Sequence, residues 1–365
     1  MKFSEKSENG NNKLPKTDDC HPHIESRINA RDRQADPDDP DAIAESSARK
    51  YIQHLRWFQF WLDEYELTPD NVTSGDAVQL SRDLTDAYNG QTPVSRWREI
   101  HRFYRARRRI DPEYPDPLER HDTLEGRSEL GLTASDAVSD QYACEQRDID
   151  DMIEVTPDLR GKTVIRLLWQ TGLRADEAAN LRISAEQMNL PEDMDDPDGL
   201  DSSDLDRDNR TITVREEISK NNQERTVAYQ QSLADSFLSE WLERGRKKYR
   251  DWRTSPYLFP GDRGEQMRND GIRDIVVDAA WKVNDVKDRD LQAVEFEDAS
   301  GRERHRVTPH NIRHGFGSYL ANDTPVGIWE VSHIMGHQDV ETTQRTYVDA
   351  DTDTGVPELK EFGPE

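Results

Sequence analysis

Apolar positions recur at helical spacing along two separate stretches of the chain. In the first, Tyr51, Leu55, Phe58 and Leu62 share one face of SARKYIQHLRWFQFWLDEY, which predicts an amphipathic helix of about 18 residues from Ser47. A second helix is expected in SGDAVQLSRDLTDAY and a third in TPVSRWREIHRFYRARRRI. In the third, Thr92 suits the cap and Pro93 the first helical position, and Val94, Trp97, Ile100, His101 and Tyr104 form the core stripe.

The second stretch begins near Arg147. DIDDMIEV, LRGKTVIRLLWQTGL and the short ADEAANL read as helices. The pattern then changes to period two in RTITVREEISKNNQERTVAY, with Ile212, Val214, Val227 and Tyr229 on either side of the polar turn SKNNQE, so a hairpin is expected there. LADSFLSEWLERGRKKY, MRNDGIRDIVVDAAWKV and TPHNIRHGFGSYLAN supply further helices. The expected fold class is mainly α with a small antiparallel β-sheet, in two domains. Residues 1–40 show no periodicity and read as a disordered acidic tail, followed by a helical domain at 41–110. DPEYPDPLERHDTLEGRSELG marks a linker at 111–145, the second domain occupies 146–350, and 351–365 form a C-terminal tail.

Charge alters this picture. The chain carries 75 acidic and 49 basic residues, a net charge of -26, and its basic residues are 12 Lys against 37 Arg. Acid excess with depleted Lys resembles the proteins of salt-accumulating halophiles, and a halophilic archaeal source is expected. Eight Trp and long periodic runs speak for folded domains rather than disorder. Two cysteines, Cys20 and Cys144, give neither a disulfide framework nor a metal knuckle. No apolar run approaches the roughly 18 residues a membrane span needs, and MKFSEKSENGNNKLPK lacks the core of a signal peptide, so a cytoplasmic protein with no membrane partner is expected.

Against this acidic background the third helix reverses sign. Arg96, Arg98, Arg102, Arg105, Arg107, Arg108 and Arg109 stand against one acid, Glu99. A basic face with interleaved aromatics suits contact with a phosphate backbone, and Arg96, Arg98, Arg102, Arg105 and Arg108 are the candidate DNA-binding residues. The acidic run PEDMDDPDGLDSSDLDRDN fails the EF-hand template, because Met194 and Leu205 fall where carboxylates are required. It reads as a surface insertion.

Four of the ten histidines fall between His310 and His337, in HNIRH and HIMGH. The i, i+4 spacing of His310 and His314 is the arrangement zinc hydrolases use, but Arg313 shares a face with His310 and repels a cation. No metal is therefore assigned. A guanidinium fork matches phosphate oxygens instead. A second such residue, Arg174, sits between a glycine turn and a helix start in QTGLRADEAANL, with Glu177 expected to orient it. Lys220, in the hairpin turn, is the only Lys between Lys162 and Lys247, and a position that keeps Lys is one that can give up a proton. Tyr347 follows His337 by ten residues.

Taken in order, TGLRADEAANL, ISKNNQERTVAY, HNIRH, IMGH and TTQRTYV resemble the tyrosine recombinase family, of phage integrase and Xer type, over about residues 45–350. The resemblance implies a two-domain clamp, with a helical core-binding domain and an α+β catalytic domain. It implies a site-specific recombinase that cuts and rejoins DNA through a 3′-phosphotyrosine without metal, nucleotide or other cofactor. The implied catalytic residues are Arg174, Lys220, His310, Arg313, His337 and Tyr347, while His314 and His333 are expected to be structural. Double-stranded DNA is the implied partner, with a homotetramer on paired sites and an accessory directionality factor. Three departures are visible: the acidic insertion, the charged segment DRDLQAVEFEDASGRERHR before His310, and a Gly-His to Tyr spacing one residue longer than the commonest form. Three alternatives stay open: a catalytically silent DNA-binding protein of the same fold, type IB topoisomerase-like relaxation, and a metal-dependent hydrolase built on the paired histidines.

Overall fold

The computed structural model describes residues 14–343, apart from 37–38, 40–41, 44, 89–90, 122, 133–141, 189–202, 298–302 and 338–342. The chain divides into two units, one of residues 1–137 with 296–304 and one of 138–295 with 305–365.

The first unit is helical. The expected face of α2 (Glu45–Glu64) is buried at Leu55, Phe58 and Leu62, and Trp57 and Trp61 widen it. The Thr73 side chain and Asp76 form a reciprocal cap on α3 (Ser74–Ala87). In α4 (Thr92–Ile110) the cap is Gln91, one residue earlier than expected, and the whole predicted stripe is buried. Ahead of these helices stands α1 (Pro22–Arg33), inside the segment expected to be a disordered tail. It anchors through Ile24 and Ile28, too few apolar positions to display a period, and through a buried ion pair. Arg31 donates from Nε and Nη2 to Glu99 at 2.9 and 2.8 Å, and Glu99 is fully buried. The lone acid in the arginine run is thus the counter-ion of this packing. The expected linker also differs: Tyr114, Leu118 and Leu132 join the first unit's core, with α5 (Leu124–Glu129) between them.

In the second unit, α6 (Gln146–Val155), α7 (Leu159–Thr171) and α8 (Ala175–Ala179) match the expected helices. The hairpin is present as β2 (Thr211–Val214) and β3 (Arg225–Ala228), with Ile212 opposite Val227 and Val214 opposite Arg225. A third strand, β1 (Leu205–Asp206), extends the sheet at the end of the acidic run. There Asp204 is buried, accepting from the Arg182 main-chain N–H at 2.8 Å and Arg215 Nε at 2.7 Å, so part of the insertion is structural.

After α9 (Gln231–Leu233) the chain makes wide π-type turns at Ala234–Leu238 and Trp241–Gly245 where one regular helix was expected. These turns seat Trp241 against Gly245 and direct the buried Arg246 at the carbonyls of Ser255 and Tyr257. Then follow α10 (Asn269–Lys287), a small hairpin of β4 (Val294–Glu297) and β5 (Glu303–His305) whose residues 296–304 group with the first unit, α11 (Pro309–Asp323) and α12 (Ile328–Met335). Neither the β4–β5 hairpin nor α12 was anticipated. Phe296 in β4 is exposed, so that hairpin buries no face that alternation would reveal. Gly315 lets residues 142–145 cross α11 closely, since a Cβ there would lie 1.9 Å from the Cys144 carbonyl oxygen. Among the described residues no helix is long and apolar enough to cross a membrane.

Candidate active site

Two helix ends organise the site. The left-handed residue Gly172 ends α7 and the left-handed Gly336 ends α12, which leaves main-chain carbonyls of the last turns without helical partners. Guanidinium groups take them up. Arg313, on the first turns of α11 and 3% exposed, donates to the Gly172 and Met335 carbonyls, and its Nη2 lies 3.4 Å from His337 Nε2. Arg174, at the start of α8, donates from Nη2 to the Gly336 carbonyl at 3.3 Å. Negative helix ends and free carbonyls are the natural setting for cations held away from water.

Glu177 orients Arg174, as expected. Its carboxylate accepts the Arg174 main-chain N–H at 2.8 Å and Arg174 Nη1 at 2.9 Å. The Arg174 main-chain N–H at this helix start is therefore occupied by Glu177. Burial pushes the Glu177 carboxyl up, but hydrogen bonds and charge from Arg225, with help from Arg174, hold it below the ordinary value.

The hairpin reaches the same place. Asn221 donates from Nδ2 to the Gly336 carbonyl at 3.0 Å, which places the adjoining Lys220, itself exposed, beside the Gly336–His337 turn. His310 is exposed on α11 yet crowded by protein. Burial, then the charges of Arg313, His314, Arg174 and Lys220, lower its pKa below 6.5, so the ring is neutral at neutral pH. Three cations and a second imidazole identify the surroundings of His310. His337 lies with Nδ1 2.8 Å from the hydroxyl of Thr343, which is fully buried. The structure thus brings together Arg174, Lys220, His310, Arg313 and His337. Tyr347 lies outside the described residues. His314 contacts Ser318 on its own helix at 3.4 Å and His333 is exposed.

Sequence reasoning missed Arg225. It is 5% exposed, bonds Glu177 Oε1 and Oε2 at 3.0 and 2.7 Å, and donates from Nε to the Ile334 carbonyl at 3.1 Å. The signal was present: Arg225 has the same parity as Val227 and Tyr229, so the alternation that predicts the strand also turns this charge inward, where it must find partners.

The candidate DNA-binding arginines separate. Arg98, Arg102 and Arg105 are exposed on α4. Arg96 is not available at the surface: it is 3% exposed, its guanidinium 4.2 Å from the Tyr88 ring centroid and 5.2 Å from that of Trp57. Its helix position faces the aromatic core, where cation–π contact replaces hydration. Arg108 pairs with Glu119 at 2.9 Å and donates to the Tyr114 carbonyl at 3.1 Å. In addition, Arg27 of α1 and Arg109 line a recess with Arg102 and Arg105.

Among the described residues, one group has the spacing of metal ligands, His21, His23 and Asp70. Arg107 Nη2 lies 3.2 Å from His23 Nε2 and the Tyr114 hydroxyl 3.0 Å from its Nδ1. A guanidinium donating to Nε2 leaves the neutral ring's proton on Nδ1, the nitrogen that faces Asp70, so the cluster reads as a hydrogen-bonded fastening of α1.

Residues 198–353 match the phage integrase family. The chain is 24% identical over 315 residues to tyrosine recombinase XerD of Haemophilus influenzae, covering 83% of this chain and 86% of that one. It is 28% identical over 206 residues to tyrosine recombinase XerC of Oceanobacillus iheyensis, and there it spans about half of the relative, 54%. Among solved structures it resembles the Tn1549 transposon integrase in complex with a circular intermediate DNA, with a TM-score of 0.62 at 16% identity, over 93% of this chain and 99% of the other.

Proposed function

We propose that this chain, whose residues 198–353 match the phage integrase family, is a site-specific DNA recombinase that cuts and rejoins strands through a 3′-phosphotyrosine on Tyr347. Covalent attachment conserves the energy of the broken phosphodiester, so neither metal nor nucleotide is needed. The observation that carries this reading is the gathering of Arg174, Arg313 and His337 at the carbonyl ends of α7 and α12, with Lys220 and a neutral His310 beside them. Two guanidiniums, of Arg174 and Arg225, face one carboxylate, Glu177, and a third, of Arg313, is held by the Gly172 and Met335 carbonyls, in a chain whose net charge is -26. Positive charge kept here against the trend of the whole sequence suits a phosphate.

In this reading Arg174 and Arg313 bind the non-bridging oxygens as charge builds on phosphorus, and the edge of Arg313 beside His337 is the part that meets them. His337 donates to the same oxygens. His310, being neutral, accepts the phenolic proton or relays it, and Lys220 at the hairpin tip protonates the leaving 5′-oxygen. Arg98, Arg102 and Arg105 contact the DNA backbone, joined by Arg27 and Arg109. A tetramer assembled on paired sites, an accessory directionality factor and a halophilic archaeal source complete the proposal.

The test is covalent trapping. A nicked suicide duplex carrying the DNA that flanks the chain's own gene, incubated in EDTA, is expected to yield a protein–DNA adduct that Tyr347→Phe does not form. Strand exchange between two sites, rather than relaxation of a single supercoiled plasmid, separates recombination from topoisomerase action.

A further inference from the structure

We propose that Arg225 is a positioning residue for strand cleavage, tying the Lys220 hairpin to Glu177 and to the end of α12 so that Arg174 and the His337 turn are held in one arrangement. The proposal rests on the recombinase reading of the same site. Arg225 opens β3 five residues after Lys220 and spends its guanidinium on two neighbouring elements at once. Two parallel bonds clamp Glu177 in the bidentate geometry that fixes orientation as well as distance, at 3.0 and 2.7 Å. The same carboxylate carries the main-chain N–H and guanidinium of Arg174. A third bond, to the Ile334 carbonyl, fastens the last turn of α12 just before Gly336 and His337. Turning Arg225 away frees Glu177 to follow Arg174 and detaches the hairpin from α12 on one side, leaving the bond from Asn221 to Gly336.

The closeness of this packing also explains the glycine of IMGH. A Cβ on Gly336 would come within 3.0–3.1 Å of Arg225 Nη1, Nε and the guanidinium carbon, and the residue's φ of 60° is itself costly for any other side chain. Gly336 leaves room for Arg225 and offers its carbonyl to Arg174. The glycine that precedes His337 is therefore shaped by a residue outside the recognised catalytic set.

The charged groups facing Glu177 are Arg225 from β3 and Arg174 at the start of its own helix, with Asp176 adjacent. From α12, the Ile334 and Gly336 carbonyls face the two guanidiniums. Without Arg225 only Arg174 opposes the burial of Glu177, so its carboxyl rises, and protonation weakens its hold on Arg174.

The experiment compares the full chain with Arg225→Met and Arg225→Lys, using single-turnover cleavage of the suicide duplex, duplex affinity and thermal melting. The expected result for Arg225→Met is affinity within about twofold of wild type and cleavage slower by about 10- to 100-fold, the range seen when supporting residues of reactive groups are lost. Its acid limb also moves to higher pH than that of wild type, and that shift disappears in the Arg225→Met, Glu177→Gln double variant. Arg225→Lys, which keeps the charge and is expected to fold, restores part of the rate. A folded Arg225→Met with wild-type rate and pH profile overturns the proposal. So does a loss in both variants that tracks only folded fraction or affinity, with the pH profile unchanged. A wild-type chain that binds the duplex but never forms an adduct instead defeats the recombinase reading, and the proposal falls with its premise.

Discussion

Arg313 and His337 meet edge to edge, Nη2 of the guanidinium 3.4 Å from the imidazole Nε2, with the arginine's other bonds directed at the carbonyls of Gly172 and Met335. The arginine is 3% exposed, so its plane is set by protein and not by solvent. Lysine cannot reproduce this fork. Arg313→Lys is expected to slow cleavage on the order of 100- to 1000-fold, as for loss of a single oxyanion donor. Single-turnover trapping measures it, and DNA binding should change far less.

His310 offers a pH test. Its pKa lies below 6.5 because of burial first and then Arg313, His314, Arg174 and Lys220. Cleavage that needs the neutral ring therefore declines at a lower pH than an unperturbed histidine would give. Removing one neighbouring charge with Lys220→Gln should let the titration of His310, followed by NMR, move upward. A midpoint that does not move would separate His310 from Lys220.

His54 makes the first unit acid-sensitive. It is buried on α2, and burial, then Arg96 and Lys50, lower its pKa from 6.5 to about 3. The folded ring is neutral while the unfolded ring takes a proton below 6.5, so its contribution is complete above pH 6.5 and is lost as pH falls toward 3. Replacing it with Gln should flatten the pH dependence of the denaturation midpoint in that window.

Arg96 and Arg105 should behave oppositely although both belong to the basic run. Arg96→Ala removes a buried guanidinium seated on Tyr88 and Trp57 and should lower stability by about 1–3 kcal/mol. Arg105→Ala, at an exposed position, should leave melting unchanged and weaken DNA binding, with a salt slope smaller by about one.

These two arginines show what the sequence could and could not reveal. Helical periodicity located α2, α3 and α4 and their stripe, because burial of apolar faces repeats on the 3.6-residue period. The same period does not mark a polar residue whose partner lies on another element. Arg96 was read as surface because the aromatic faces that receive it come from Trp57 and Tyr88. Arg31 and Glu99, 68 residues apart, hold down a helix that composition alone assigned to a tail. In the second unit the residue types and order of Arg174, Lys220, His310, Arg313 and His337 were legible from the motifs that resemble the tyrosine recombinase family. Their mutual arrangement was not, since it depends on where α7 and α12 end. Arg225 lay between: parity placed it inward, but only the fold supplied Glu177 and Ile334 as its partners.

The most direct measurement of the central claim is mass spectrometry of the trapped adduct. The account predicts a single modified peptide bearing DNA on Tyr347 through a 3′-phosphate, a free 5′-hydroxyl on the released strand, and the same yield in EDTA. An adduct on another residue, a 5′ linkage, or cleavage that a chelator abolishes would contradict it.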